Sequence, residues 1–104
     1  MSAGVVPDPA NRTQIQVDVA VLGPEVPGEP QRVLSLGEAK WGKVMTSGHV
    51  RRLRRARDLL AVKGYDTSTT KLTCYGGAGF DEDLRAEAHR DKLIQLVGLD
   101  TLYA

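Results

Sequence analysis

The stretch IQVDVAVLGPEVPGEPQRVLSLGEAKW, residues 15–41, carries two strand patterns separated by a turn. Residues 15–22 alternate strictly, which sets Ile15, Val17, Val19 and Val21 on one face and Gln16, Asp18, Ala20 and Leu22 on the other. Pro24, Pro27, Gly28 and Pro30 then supply turn chemistry and block continuous pairing, so residues 23–30 read as a hairpin loop. Residues 32–41 form the second strand. They are apolar on both faces through Leu36, as expected of a strand flanked by helices, and emerge at Glu38.

Gly28 lies midway between Asp18 and Glu38, so a hairpin that pivots there sets the two carboxylates directly opposite each other. Opposed side chains share a face, with Cβ atoms about 4.5 to 5.5 Å apart. Lys40 follows Glu38 by two residues and leaves the same face, about 6 to 7 Å further along. Carboxylates this close repel unless a cation or the Lys40 ammonium compensates them. Mg²⁺ or Mn²⁺ suits such an oxygen pair. That ion polarises a phosphoryl oxygen and activates water, while Lys40 orients the nucleophile or offsets charge on the phosphorane. The chemistry expected is metal-assisted phosphodiester hydrolysis. The competing account is two surface carboxylates and a lysine decorating a strand end.

The rest of the chain fits around this hairpin. With 104 residues, 41% hydrophobic and 26% charged, it is the size and composition of one small globular domain. Residues 1–13 hold two prolines and no apolar periodicity, and read as an irregular lead-in. The domain proper is expected over residues 14–104. Ser47 caps a helix over residues 48–63, with Val50, Leu53, Leu60 and Ala61 as its buried stripe and Gly64 as its stop. Residues 71–77 read as a strand feeding the glycine-rich turn before Phe80, and Asp81 caps a second helix containing Leu84 and Ala88. Residues 92–97 form a last strand and residues 99–104 a closing turn. The order is β-β-α-β-α-β, an α/β domain with a small mixed sheet and helices packed on it.

No stretch is long and apolar enough to span a membrane and no secretory signal opens the chain, so the expected location is cytoplasmic, with no membrane partner. The lone Cys74 reads as a core thiol. His49 and His89 lack zinc-site spacing. Trp41 is expected to pack near the site rather than bind a base. Between Lys40 and Lys63 lie eight basic residues against Asp58 alone, a net +7. Within this block Arg51, Arg52, Arg54, Arg55 and Arg57 are candidates to track a phosphate backbone, DNA being the expected nucleic acid. Asp58, at i+4 from Arg54 and i+3 from Arg55, is expected to pair with them. Arg57 falls within the apolar stripe.

Asp18 followed by Glu38-Ala39-Lys40 resembles the core of the PD-(D/E)XK nuclease superfamily. Within it, QVDVAVL, LGEAKWG and the later GF before an acidic helix are similar to the C-terminal domain of archaeal-type AAA ATPases. The resemblance covers residues 14–104. It implies a restriction-endonuclease-like fold, with Asp18, Glu38 and the Ala39 carbonyl as ligands of Mg²⁺ or Mn²⁺ and Lys40 as the catalytic lysine. Two parts of the family pattern have no counterpart: a helix before the first strand, and the Gly-Lys-Ser/Thr phosphate loop of the ATPase half. The resemblance therefore implies a stand-alone nuclease-like remnant or a fragment of an ATPase C-terminal module, with a P-loop ATPase as the implied partner. A catalytically inactive nucleic-acid-binding or assembly domain is the alternative.

Overall fold

The computed structural model describes residues 2–9 and 13–98. Its elements run β1 (Ser2–Asp8), β2 (Thr13–Leu22), β3 (Val33–Lys40), α1 (Ser47–Val62), β4 (Lys71–Gly76), α2 (Glu82–Arg90) and β5 (Ile94–Gly98). The five strands make one sheet in the order β1-β2-β3-β4-β5. The first three form an antiparallel meander, and β3, β4 and β5 run parallel.

Residues 1–13 do not form the irregular lead-in expected. Ser2–Asp8 is a strand paired with β2, so the order becomes β-β-β-α-β-α-β. Pro7 misled the reading, yet β1 lies at the sheet edge, where a residue without an N–H is tolerated. The carboxylate of Asp8 then fastens the strand to α1 through Arg55. The closing turn expected over residues 99–104 lies outside the described residues.

The meander turns where expected. Gly28 has φ +82°, and the Glu29 N–H donates to the Val26 carbonyl at 3.1 Å, which with Pro27 and Gly28 at the centre is the signature of a type II turn. Strict alternation fails at two places, however. Ser2 pairs with Ala20 but Gly4 with Val17, so β2 carries one extra residue between Val17 and Ala20. Ile15 and Val17 are buried, and beyond the shift it is Ala20 and Leu22 that continue the α1 face, lining an apolar depression with Val17, Leu36 and Leu60. Val19 lies instead on the opposite face, against Gly37. Leu34 is the surplus residue of β3, opposite the step from Val21 to Leu22, and is exposed. Such bulges arise from the ladder rather than from the hydrophobic pattern.

Helices were expected to flank β3 on both sides, but α1 and α2 lie on one face. Each crossover advances one strand in the same direction, and right-handed connections then place both helices together. Arg54 of α1 accordingly reaches Glu87 of α2 and Asp91 just beyond it. The core between helices and sheet includes Leu36, Val50, Leu53, Leu72, Cys74 and Leu84, all at most 1% exposed. In α1 the buried stripe is Val50, Leu53 and Ala56, with Leu59 and Leu60 at its margin, whereas Ala61 is exposed. The helix starts one residue earlier than expected. Thr46 is the N-cap, and His49 Nδ1 accepts from the Thr46 N–H at 3.0 Å. Asp81 caps α2 as expected, accepting from the Leu84 N–H at 2.8 Å. No helix among the described residues is long and apolar enough to cross a membrane.

Candidate functional site

Asp18, Glu38 and Lys40 gather at one end of the sheet. Val19 pairs with Gly37 and Ala20 with Leu36, and the same register carried one residue further sets Asp18 opposite Glu38. Glu38 lies on the α1 face, two residues from Leu36, where Arg52 of α1 reaches it. Asp18 is also tied across the strands, because its Oδ2 accepts the Ala39 N–H at 2.9 Å. The bond lies just past the last β2–β3 pair, Val19 with Gly37, where a side-chain oxygen takes the place of a ladder carbonyl. A strand residue sends its N–H and C=O towards the same edge, so the Ala39 carbonyl also points towards β2.

Glu38 is the more enclosed of the pair, with a side chain 10% exposed. Its Oε1 lies 3.2 Å from an Arg52 guanidinium nitrogen and 3.8 Å from Lys40 Nζ. Arg52 comes from the first turns of α1, which begins just beyond the C-terminal end of β3. Its tie to Glu38 was not anticipated from the sequence, since nothing local links positions 38 and 52. Cys74 stands beside Glu38 in the parallel ladder. It is fully buried, and burial first, then the Glu38 charge, pushes its thiol up to about 12. It is the core thiol expected.

Small residues make room for this arrangement. A Cβ on Gly37 would lie 2.9 Å from the Tyr75 ring and 3.1 Å from the Thr73 carbonyl. Gly77, in the glycine-rich turn, donates its N–H to the Lys40 carbonyl at 2.9 Å. A Cβ there would lie 2.7 Å from Trp41 Cε3. The turn holds Trp41 and feeds α2, and Phe80 packs beneath it, as expected.

Oxygen donors suit Mg²⁺ or Mn²⁺, and the groups here are of that kind: the carboxylates of Asp18 and Glu38 and the Ala39 carbonyl. One oxygen of each carboxylate is already engaged, Asp18 Oδ2 by the Ala39 N–H and Glu38 Oε1 by Arg52 and Lys40. Among the described residues no group of three or more acidic, histidine or cysteine side chains is gathered. A cation held here would therefore keep several waters, as Mg²⁺ usually does.

The five arginines expected to track phosphate divide. Arg54 binds Glu87 and Asp91, and Arg55 grips Asp8 through two nitrogens at 2.8 and 3.1 Å. Arg57, not Arg54 or Arg55, pairs with Asp58. Distant acids on β1 and around α2 outcompete the local i+3 and i+4 partner. Arg51 and Arg52 remain exposed at the end of α1 nearest the carboxylates. Comparison of the chain with protein-family models, with curated proteins and with solved structures gives no match.

Proposed function

We propose that the domain is a metal-dependent nuclease-like module acting on DNA phosphodiesters, with Asp18, Glu38 and the Ala39 carbonyl holding Mg²⁺ or Mn²⁺ and Lys40 beside them. The observation that supports this reading is the register of the β2–β3 ladder, which leads to Asp18 opposite Glu38, with Lys40 two residues on. The resemblance to the PD-(D/E)XK superfamily and its restriction-endonuclease-like fold rests on the same residues.

The bound ion would supply a polarised phosphoryl oxygen and a more acidic water. Asp18, fixed by the Ala39 N–H, keeps its carboxylate aligned without a search among rotamers. Glu38 places negative charge in a largely enclosed position. The Lys40 ammonium, 3.8 Å from that carboxylate, hydrogen-bonds the attacking water or offsets charge on the phosphorane. Arg52 and Arg51 offer guanidinium groups to neighbouring phosphates.

A second reading is favoured by a specific contact. One Glu38 oxygen, Oε1, is already shared by Arg52 and Lys40, as in a site that has become an internal ion pair. On that reading the domain is a catalytically inactive nucleic-acid-binding or assembly module partnering a P-loop ATPase. Incubation of plasmid DNA with the protein and Mg²⁺ or Mn²⁺, beside Glu38→Ala and Lys40→Ala, separates the two. Cleavage by the wild type and its loss in both variants supports the enzyme, and equal cleavage by all three eliminates it.

A further inference from the structure

We propose that the Trp41 indole is a stacking platform for an unpaired nucleobase, so that the nucleic acid taken at this end of the domain is single-stranded where it passes Glu38 and Lys40. This rests on the nucleic-acid reading above and adds to it the class of strand.

Trp41 was not expected from the sequence to bind a base, but this single tryptophan of the chain is 56% exposed. Large aromatic rings are normally buried in the core or spent at an interface, and this one does neither within the fold. Nor is it loose. Its ring and backbone are set against Gly77, where a Cβ would stand 2.7 Å from Cε3 and 3.0 Å from the Trp41 carbonyl oxygen. Lys40, bonded through its carbonyl to the Gly77 N–H, anchors the residue before it. A ring fixed on backbone and open to solvent is pre-ordered for a flat partner, so little side-chain freedom is lost on contact.

The charge around the ring selects the partner. Lys40 precedes it, Lys43 follows two residues on, and Arg51 and Arg52 project from the start of α1. From Ala39 through Arg57 the chain has no acidic residue. Lys43 and Arg51 form no ion pair among the described residues. Apart from Asp18 and Glu38, acids come to this end from the start of α2, where Asp81, whose N–H donates to the Met45 carbonyl at 3.0 Å, is followed by Glu82 and Asp83 on the helix packed on β5. The cations belong to β3 and α1. A polyanion is therefore drawn along the β3 and α1 side, past Glu38. Aromatic ring plus cationic track is the combination by which proteins hold single strands, whose bases expose their faces, whereas a duplex hides them in the stack.

With one tryptophan, fluorescence excited at wavelengths beyond tyrosine absorption reports this ring alone. In EDTA at low salt, an oligothymidylate about 12 nucleotides long is expected to quench the emission, while a closed hairpin duplex at equal phosphate concentration quenches it weakly. By anisotropy of a labelled oligothymidylate, Trp41→Ala is expected to bind about tenfold more weakly and Trp41→Phe to keep most of the affinity. Unchanged circular dichroism of both variants ties the loss to the ring. Equal quenching by duplex and single strand, unchanged affinity of Trp41→Ala, or equal quenching by polyglutamate, the mark of an acidic-protein partner, each overturns the proposal. If single strand and duplex bind Trp41→Ala as they bind wild type, stacking fails and the nucleic-acid reading stands. If neither binds the wild type, both fall.

Discussion

Two carboxylates beneath α1 are met by arginines one turn apart, and they are held differently. Asp8, on β1, has a side chain 3% exposed and receives two nitrogens of Arg55 at 2.8 and 3.1 Å. Glu38, on β3, is 10% exposed and receives a single nitrogen of Arg52 at 3.2 Å, with Lys40 at 3.8 Å. The first is a two-point clamp that joins an edge strand to the helix. The second is a one-point contact through an arginine side chain 55% exposed, a weaker hold than the two-point clamp. A single helix thus contributes both a strong tie and a weaker one, and the number of hydrogen bonds separates them.

The sharpest way to break this comparison is through activity. Glu38→Gln keeps the shape of the side chain and is expected to lower plasmid cleavage by about a hundredfold or more while circular dichroism remains native. A Glu38→Gln protein as active as wild type would show that this carboxylate is structural like Asp8. Next in size is the pair of arginine deletions. Arg55→Ala removes the clamp from a carboxylate buried beneath the helix, and its melting temperature is expected to fall several times further than that of Arg52→Ala. The Arg52 change should shift stability by less than about 1 kcal/mol, as for exposed pairs. Equal melting temperatures would erase the distinction.

Smaller still is the response to metal. Mg²⁺ at about ten times its dissociation constant is expected to stabilise the wild type by about 1.4 kcal/mol in thermal melts. Arg52→Ala should reach that gain at lower Mg²⁺, since its Glu38 has lost a competing cation; identical titrations would show that Arg52 and metal do not compete. The smallest effect concerns Cys74. Its thiol is raised from 9.0 to about 12 by burial and then by Glu38, so the folded state holds the proton more tightly than the unfolded chain. This contribution to stability is complete below pH 9 and is lost as pH rises towards 12. In Glu38→Gln, ultraviolet thiolate absorbance should appear at a lower pH than in wild type.

The hairpin was legible because its signals are local: apolar alternation at Ile15 and Val17, a turn demanding glycine at residue 28, and a strand ending in Glu38-Ala39-Lys40. Asp81, Gly64 and the buried face of α1 around Val50 and Leu53 were legible for the same reason. What was hidden depends on the sheet or on distant partners. Strand β1 is held by pairing with β2 and by Arg55, not by its own pattern. The face of Ala20 follows from a bulge that alternation cannot reveal. Arginine fates were decided by Asp8, Glu87 and Asp91, far along the chain, and spacing offered only Asp58. The tie from Arg52 to Glu38 required α1 to fold back over β3.

The surplus residue of β2 between Val17 and Ala20 also bears on how this chain can change length. Asp18 takes its place from the ladder with β3, and the extra residue absorbs the offset against β1. Insertions or deletions in the first hairpin can therefore be taken up at the bulge while Asp18 stays opposite Glu38. The second hairpin has a bulge of its own at Leu34, between the turn and the carboxylates, where a single-residue change between Gly23 and Arg32 can likewise be absorbed. Both hairpins thus let the chain change length while Val19 stays paired with Gly37.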